Sequence, residues 1–330
     1  MEHILCFKTA SGHQTSLYCW FPVGIAADAT GCKREETMHS KEDLRYEDCE
    51  ETAQWLLDRI QSPPDIAIIC GSGLGLLAET LGDSKSYDYG QIPHFPTSTV
   101  AGHSGQLVFG TLQGKSCVCM KGRFHLYEGY PLWKVTFPVR VFKLLGVKVL
   151  IVTNAAGSLC ETYRPGDLMI IRDHINMPGL AALNPLRGPN DERFGPRFPS
   201  LWDTYDHDLR MTALEITRKL GQSDLTHEGV YCMVGGPNFE SVAEARFLQR
   251  LGADAVGMST APEVVVAKHC GMRVFGLSLI TNRVAQAYEA QELVDHSSVL
   301  EVGKQRAQLL QTLITELVRS LQIKEEKPEP

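Results

Sequence analysis

Short apolar runs that stop at glycine or small polar turns, with helical stripes between them, set the terms for this chain. Residues 66–70, Ile-Ala-Ile-Ile-Cys, lead into Gly71-Ser72-Gly73-Leu74-Gly75. Residues 147–153 lead into Asn154-Ala155-Ala156-Gly157, and 229–234 into Gly235-Gly236-Pro237-Asn238-Phe239-Glu240. A run over 273–280 ends in Thr281-Asn282, and further runs lie at 116–120 and 168–171. An apolar run without polar alternation reads as a strand buried on both faces. Between the runs, Tyr46, Cys49, Ala53, Leu56 and Ile60 recur at three- and four-residue steps, the mark of an amphipathic helix. Leu132, Val135, Val139 and Phe142 give a second stripe with Pro138 as a bend. Helices are expected over 207–219, 242–251 and 262–270, with a long final one through Val299, Val302, Leu309, Leu313 and Leu317. Strands alternating with helices define an α/β fold. In such sheets ligand groups collect at the strand ends.

No change of composition after residue 60 suggests a linker, so one domain is expected over 41–321. Residues 1–40 have no clear period and read as a poorly ordered extension; 322–330, charged and bearing proline, read as a flexible tail. Residues 185–199, rich in glycine, proline and charge, read as a long loop. Lys and Arg number 32 against 39 Asp and Glu, and no basic patch of the kind a nucleic-acid polymer needs is visible. No apolar run reaches the roughly 18 residues of a membrane-spanning helix. The apolar stretch after Leu17 is broken by Pro22 and Gly24 and preceded by a single basic residue, Lys8, so it makes a poor secretory signal. The 10 cysteines are scattered without a CxxC pair, which suits a reduced, cytoplasmic setting and no zinc site.

Several strand ends carry residues with chemical reach. The loop from Gly71 to Gly75 lacks the Gly-Lys-Ser/Thr of a phosphate-binding P-loop, and Leu76 stands where a dinucleotide fingerprint needs its third glycine. It remains a glycine-rich strand-to-helix turn whose N–H groups suit an oxyanion, or simply a tight turn. Arg123 and His125 alternate after a strand and would project to one side, as an oxyanion clamp or as ordinary surface residues. Tyr127 and Glu128 extend that polar run. Glu240 beside Phe239 could accept a hydrogen bond from a heterocycle while the ring stacks, or could cap the helix that follows. Asn282 could read a base edge with its donor and acceptor, or start a turn.

Taken together and in this order, these segments resemble the trimeric purine nucleoside phosphorylases that act on 6-oxopurine nucleosides. The resemblance runs from about residue 41 to 321. It rests on the stretches above together with Gly102-His103-Ser104-Gly105, Gly122-Arg123-Phe124-His125, Tyr127-Glu128-Gly129-Tyr130, Asn184-Pro185-Leu186 and Gly257-Met258-Ser259-Thr260. It implies a three-layer α/β fold with a central mixed sheet flanked by helices. It also implies reversible phosphorolysis of inosine, guanosine and their deoxy forms to a free base and α-(deoxy)ribose 1-phosphate. On the family pattern Ser72, His103, Arg123, His125, the backbone of Ala155 and Ser259 hold phosphate. Tyr127 and Met258 line the ribose, and His296 reaches its 5′-hydroxyl. Glu240 and Asn282, with Phe239, bind the purine, and Phe198 reaches into a neighbouring subunit's site. Catalysis falls to Asn282, Glu240 and His296, with phosphate as co-substrate and no metal or organic cofactor. The partners implied are a purine nucleoside, phosphate and two further copies of the chain.

The related methylthioadenosine phosphorylases are expected to carry Asp at 282 and an apolar residue at 296; this chain has Asn282 and His296. A catalytically silent purine-binding relative is the remaining alternative, and the full ligand set argues against it. Three positions depart from the family pattern: Arg283 where Lys is frequent, Asn238 where Ser is usual, and Ser158 where Gly is usual.

Overall fold

The computed structural model describes residues 44–71, 74–99, 104–288 and 296–322. The expectations for the extension at 1–40 and for most of the tail, and those placed on Ser72, His103 and the His296 side chain, lie outside the described residues.

Helix α1 (Tyr46–Leu57) opens the described chain and ends short of Ile60, the last residue of the stripe. Strand β1 (Ile66–Cys70) follows, then a 3-10 turn, Gly75–Thr80, where a full helix was expected. Strands β2 (Gly82–Asp88), β3 (Gln106–Leu112) and β4 (Lys115–Lys121) form an antiparallel set. The stripe through Leu132 divides at Thr136 into α2 (Leu132–Val135) and α3 (Phe137–Leu144), the second with proline in its first turn. Strand β5 (Val149–Ser158) is longer than its apolar run, and β6 (Leu168–Asn176) leads to the short α4 (Met177–Leu180). After a long irregular segment come α5 (His207–Lys219), β7 (Thr226–Met233), α6 (Val242–Arg250), β8 (Ala255–Gly257), α7 (Ala261–His269), β9 (Arg273–Arg283) and α8 (His296–Ser320).

The nine strands form one mixed sheet in the order β2-β3-β4-β1-β5-β8-β7-β6-β9, and β9 also pairs with β5. That last pairing curls β5, β8, β7, β6 and β9 into a closed ring, while β2 to β4 extend from β1 as an open antiparallel flank. Period-two geometry sends alternate side chains of β1 to opposite layers. Ala67 and Ile69 pack with Cys49, Leu56, Val141 and Val266 on one side; Ile66 and Ile68 pack with Leu209, Leu313 and Leu317 on the other. Helices α1, α3 and α7 therefore cover one face and α5 and α8 the other, giving the three layers expected.

Candidate active site

The ends of β4, β5, β7, β8 and β9 converge on a solvent-connected cavity of about 280 Å³. Arg123, His125, Tyr127, Ala155, Phe239, Glu240, Met258, Ser259 and Asn282 all line it. Nine of the residues singled out from sequence, scattered over 160 positions of chain, thus share one wall system.

Asn282 arrives there through a register shift. Ala156 pairs with Ile280, but Gly157 pairs with Asn282, so Thr281 is an extra residue in β9. A bulge of this kind re-aims the side chains beyond it. The Thr281 hydroxyl donates to Asn282 Oδ1 at 3.1 Å and so helps orient the amide. Gly157 is required opposite it: an added Cβ would lie 2.7 Å from Val284 Cγ2 and 3.1 Å from Asn282 Nδ2. Gly157→Ala is expected to destabilise the chain by about 1–3 kcal/mol through overpacking. Urea unfolding checks this; an unchanged midpoint would show that the neighbours yield freely.

Glu240 is not the cap of the helix that follows. Ser241 caps α6, accepting from the Glu244 N–H at 3.3 Å, while Glu244 accepts from the Ser241 N–H at 2.8 Å. Glu240 is left to face the cavity, where burial raises its carboxyl above the ordinary glutamate range.

Ser259 is set by an unusual turn. Thr260, the residue before α7, has φ 76°, a conformation that a β-branched residue rarely adopts. Asn154 Nδ2 donates to Thr260 Oγ1 at 3.0 Å, the Ser259 and Thr260 hydroxyls lie 3.2 Å apart, and the Ser259 N–H donates to the Tyr231 hydroxyl at 3.3 Å. Strain at a cavity wall that surrounding bonds hold in place is a frequent mark of functional sites.

His125 is buried at the start of a single turn, Leu126–Glu128. Glu128 Oε1 accepts from the His125 backbone N–H at 2.8 Å and lies 3.2 Å from its ring Nδ1. The second oxygen, Oε2, accepts from the Thr99 N–H at 2.9 Å and hydroxyl at 2.6 Å. Burial alone would raise the Glu128 carboxyl, but these bonds outweigh it and hold it down to about 2. The His125 imidazole is pushed down from its ordinary value, chiefly by burial. The ring stacks on Tyr127 with centroids 4.6 Å apart.

Arg123 is almost wholly buried and donates to Glu263 and to the Thr153 carbonyl. Sequence reasoning gave no role to Glu263, Glu128 or Thr281. A signal for Glu263 was present: it is the one carboxylate in the first turn of the otherwise apolar start of α7.

Asn154-Ala155-Ala156-Gly157 is not a turn, since β5 continues through Ser158. The small residues serve instead as an interior strand against which the cavity is built. Phe198 does not line the cavity of its own chain; it is 88% exposed, close in sequence to Trp202 at 89%. None of the three family departures lines the cavity. The Ser158 hydroxyl donates to the Cys160 carbonyl, Asn238 donates to the Phe239 carbonyl, and Arg283 donates to the carbonyls of Tyr163 and Glu161.

A family model described as "Phosphorylase superfamily" matches residues 65–319. The chain is 58% identical over 278 residues to a purine nucleoside phosphorylase of Bos taurus, covering 84% of this chain and 96% of the relative. The chain belongs to the phosphorylase superfamily. Solved structures of the Schistosoma mansoni purine nucleoside phosphorylase agree in fold. The complex with inosine has a TM-score of 0.82 at 46% identity and covers 84% of this chain and 98% of its own. The complex with adenosine has a TM-score of 0.82 at 46% identity and covers 84% and 99%. The cavity described above is therefore built on a phosphorylase framework, with its strand ends in the mixed sheet typical of this superfamily.

Proposed function

We propose that the chain catalyses phosphorolysis of 6-oxopurine (deoxy)ribonucleosides, inosine and guanosine foremost, to the free base and α-(deoxy)ribose 1-phosphate. The observation that carries this reading is the meeting of two ligand sets in one cavity: Glu240 and Asn282, matched to a purine edge, with Arg123, His125 and Ser259, matched to an oxyanion. Relatives over nearly their whole length are purine nucleoside phosphorylases, which supports the same reading.

In this reading the C1′–N9 bond lengthens toward an oxocarbenium-like ribosyl, and its electron pair moves onto the purine. A phosphate oxygen forms the new bond to C1′, and the proton that hydrogen phosphate gives up in becoming the ester ends on the base, which leaves as its N7–H or N9–H form. Asn282 meets the charge that develops at N7, so its contact strengthens as the bond breaks. Arg123, His125, Ser259 and the Ala155 backbone hold phosphate, joined by Ser72 and His103. Tyr127 and Met258 line the ribose, His296 serves its 5′-hydroxyl, and Phe239 lies along the base. Positioning phosphate beside C1′ supplies much of the acceleration. The scheme calls on no metal or organic cofactor.

Glu240 sets the base preference. A 6-oxopurine offers N1–H to the carboxylate, whereas adenine presents a lone pair there. A buried mismatch of this kind can discriminate by about 10⁴ in kcat/KM. The Schistosoma mansoni relative has been solved in complex with inosine and with adenosine, so the preference is read from turnover and not from binding. The test is a panel of inosine, guanosine, adenosine and methylthioadenosine with phosphate. Inosine and guanosine are expected to dominate, and methylthioadenosine as the best substrate would overturn the assignment.

The raised Glu240 carboxyl gives a pH dependence with a definite sign. Glu240 accepts most strongly from N1–H when ionised, so inosine kcat/KM falls as pH falls through its raised value. The acid limb is expected above the ordinary glutamate value of about 4.3. Glu240→Gln removes that limb along with most of the activity; an unchanged limb in this variant would assign it elsewhere.

We also propose that the chain acts as a homotrimer in which Phe198 completes a neighbour's site. The exposed Phe198 and Trp202 support self-association. Sedimentation should give three times the chain mass, and a monomer that is fully active would refute the shared site. The seven described cysteines are free thiols and six are buried, which supports a reducing, cytoplasmic setting.

A further inference from the structure

Glu263 has no part in the scheme above, yet it is the carboxylate most tightly engaged with the cavity's cation. It is the third residue of α7, in the sequence Thr260-Ala261-Pro262-Glu263. That spacing is a capping-box pattern, in which the glutamate turns back to the backbone N–H of the capping residue. Here Thr260 makes no side-chain cap, and both Glu263 oxygens turn inward. Arg123 Nε donates to Oε1 at 3.2 Å and Nη2 donates to Oε2 at 2.9 Å, between side chains only 1% and 3% exposed. Arg123 Nη1 donates to the Thr153 carbonyl of β5 at 2.7 Å. The planar guanidinium is thus tied along one edge to α7 and along another to β5.

The same α7 start carries Ser259, immediately before the strained Thr260. Asn154, on β5 one residue beyond Thr153, holds Thr260 through its side chain. Ser259 and the partner of Arg123 are therefore carried by one turn, fastened at both ends to one strand.

We propose that Glu263 is the positioning residue of the phosphate subsite. It fixes the plane of the Arg123 guanidinium and offsets its charge, so that phosphate is held by directed hydrogen bonds and not by a net positive cradle. This rests on the phosphorolytic reading. A bidentate carboxylate holds a guanidinium in a single plane, which a glutamine, with one acceptor and one opposing donor, does not. A residue that positions phosphate only through Arg123 cannot weaken phosphate binding further by its loss once Arg123 is gone.

The test compares full-length wild type, Glu263→Gln, Glu263→Asp, Arg123→Met and the double variant Arg123→Met/Glu263→Gln. Steady-state KM values are measured separately for inorganic phosphate and for inosine. A wild type that does not consume phosphate would overturn the phosphorolytic reading before any Glu263 variant is assayed. With an active wild type, Glu263→Gln is expected to raise phosphate KM about tenfold or more while inosine KM stays within about twofold. Glu263→Asp, which keeps the charge but withdraws it by one methylene, should shift phosphate KM in the same direction by less. In the Arg123→Met background, Glu263→Gln should not raise phosphate KM further, and loss of the orphaned carboxylate lets it fall. A role in stability alone would lower the folded fraction without separating the two KM values. The proposal fails if both Glu263 variants keep the wild-type phosphate KM, if inosine KM rises in step, or if Glu263→Gln multiplies phosphate KM equally in both backgrounds. Should Glu263→Gln not accumulate, Glu263→Asp decides by the same comparison of KM values.

Discussion

Asn282→Ala is expected to lower kcat for inosine phosphorolysis by about 10²–10³, the loss typical of removing one group aimed at developing charge. The β9 bulge places Asn282 opposite Gly157, and the Thr281 hydroxyl holds its Oδ1, so the wild-type amide is already oriented before substrate arrives. Alanine removes the contact without disturbing the bulge. In the proposed scheme the interaction strengthens as charge builds on the base, so kcat should fall more than inosine KM changes. A variant with normal kcat and raised KM would instead show that Asn282 binds ground state and transition state alike. Asn282→Asp asks a narrower question. It replaces the amide donor with a carboxylate, which beside N7 can also accept from the neighbouring 6-amino group of adenine but would repel O6. Adenosine turnover should rise relative to inosine, and an unchanged ratio would refute this account of the base edge.

Arg123→Met carries the largest expected effect on folding. It leaves the Glu263 carboxylate buried without its cation and the Thr153 carbonyl without its Nη1 donor. Breaking a buried pair from one side costs about 3–5 kcal/mol, because the remaining charge stays desolvated. Against a total stability of about 5–15 kcal/mol, this is a large fraction. Adding Glu263→Gln removes the orphaned charge and should return part of the loss. Denaturant unfolding of the three variants measures both steps. A single variant within about 1 kcal/mol of wild type would mean that water reaches Glu263 and that the pair is not buried in solution.

The strands that were legible in the sequence are those buried on both faces. Val149 to Val152 and Ile66 to Cys70 announce themselves because every position meets a packed layer. Strand β2 was not legible: Gly82–Asp88 lies at the sheet's edge with only Tyr87 buried, so no apolar run or clean alternation marks it. The extension of β5 through Asn154-Ala155-Ala156-Gly157 was read as a turn because small residues signal turns locally. At Gly157 the residue is small because an added Cβ would lie 2.7 Å from Val284 Cγ2.

The cavity residues could be found because they sit at strand ends, where a polar side chain after an apolar run has little structural reason to be there. Glu263 could not be found that way. Its spacing from Thr260 satisfies a common helix-start pattern and its place in an apolar helix start is only a weak signal, while its partner Arg123 lies 140 positions away in sequence. Glu240 shows the reverse. Its position before α6 permits a capping role, which Ser241 and Glu244 in fact perform.

In the proposed scheme phosphate attacks the nucleoside in the cavity lined by Arg123, Ser259, Glu240 and Asn282. The most direct measurement is the product balance of inosine turnover by the purified chain with and without inorganic phosphate. Hypoxanthine and ribose 1-phosphate are expected in equal amounts, with one phosphate consumed per base released and no base released when phosphate is withheld. Release of hypoxanthine with free ribose, at the same rate in the absence of phosphate, would contradict the scheme.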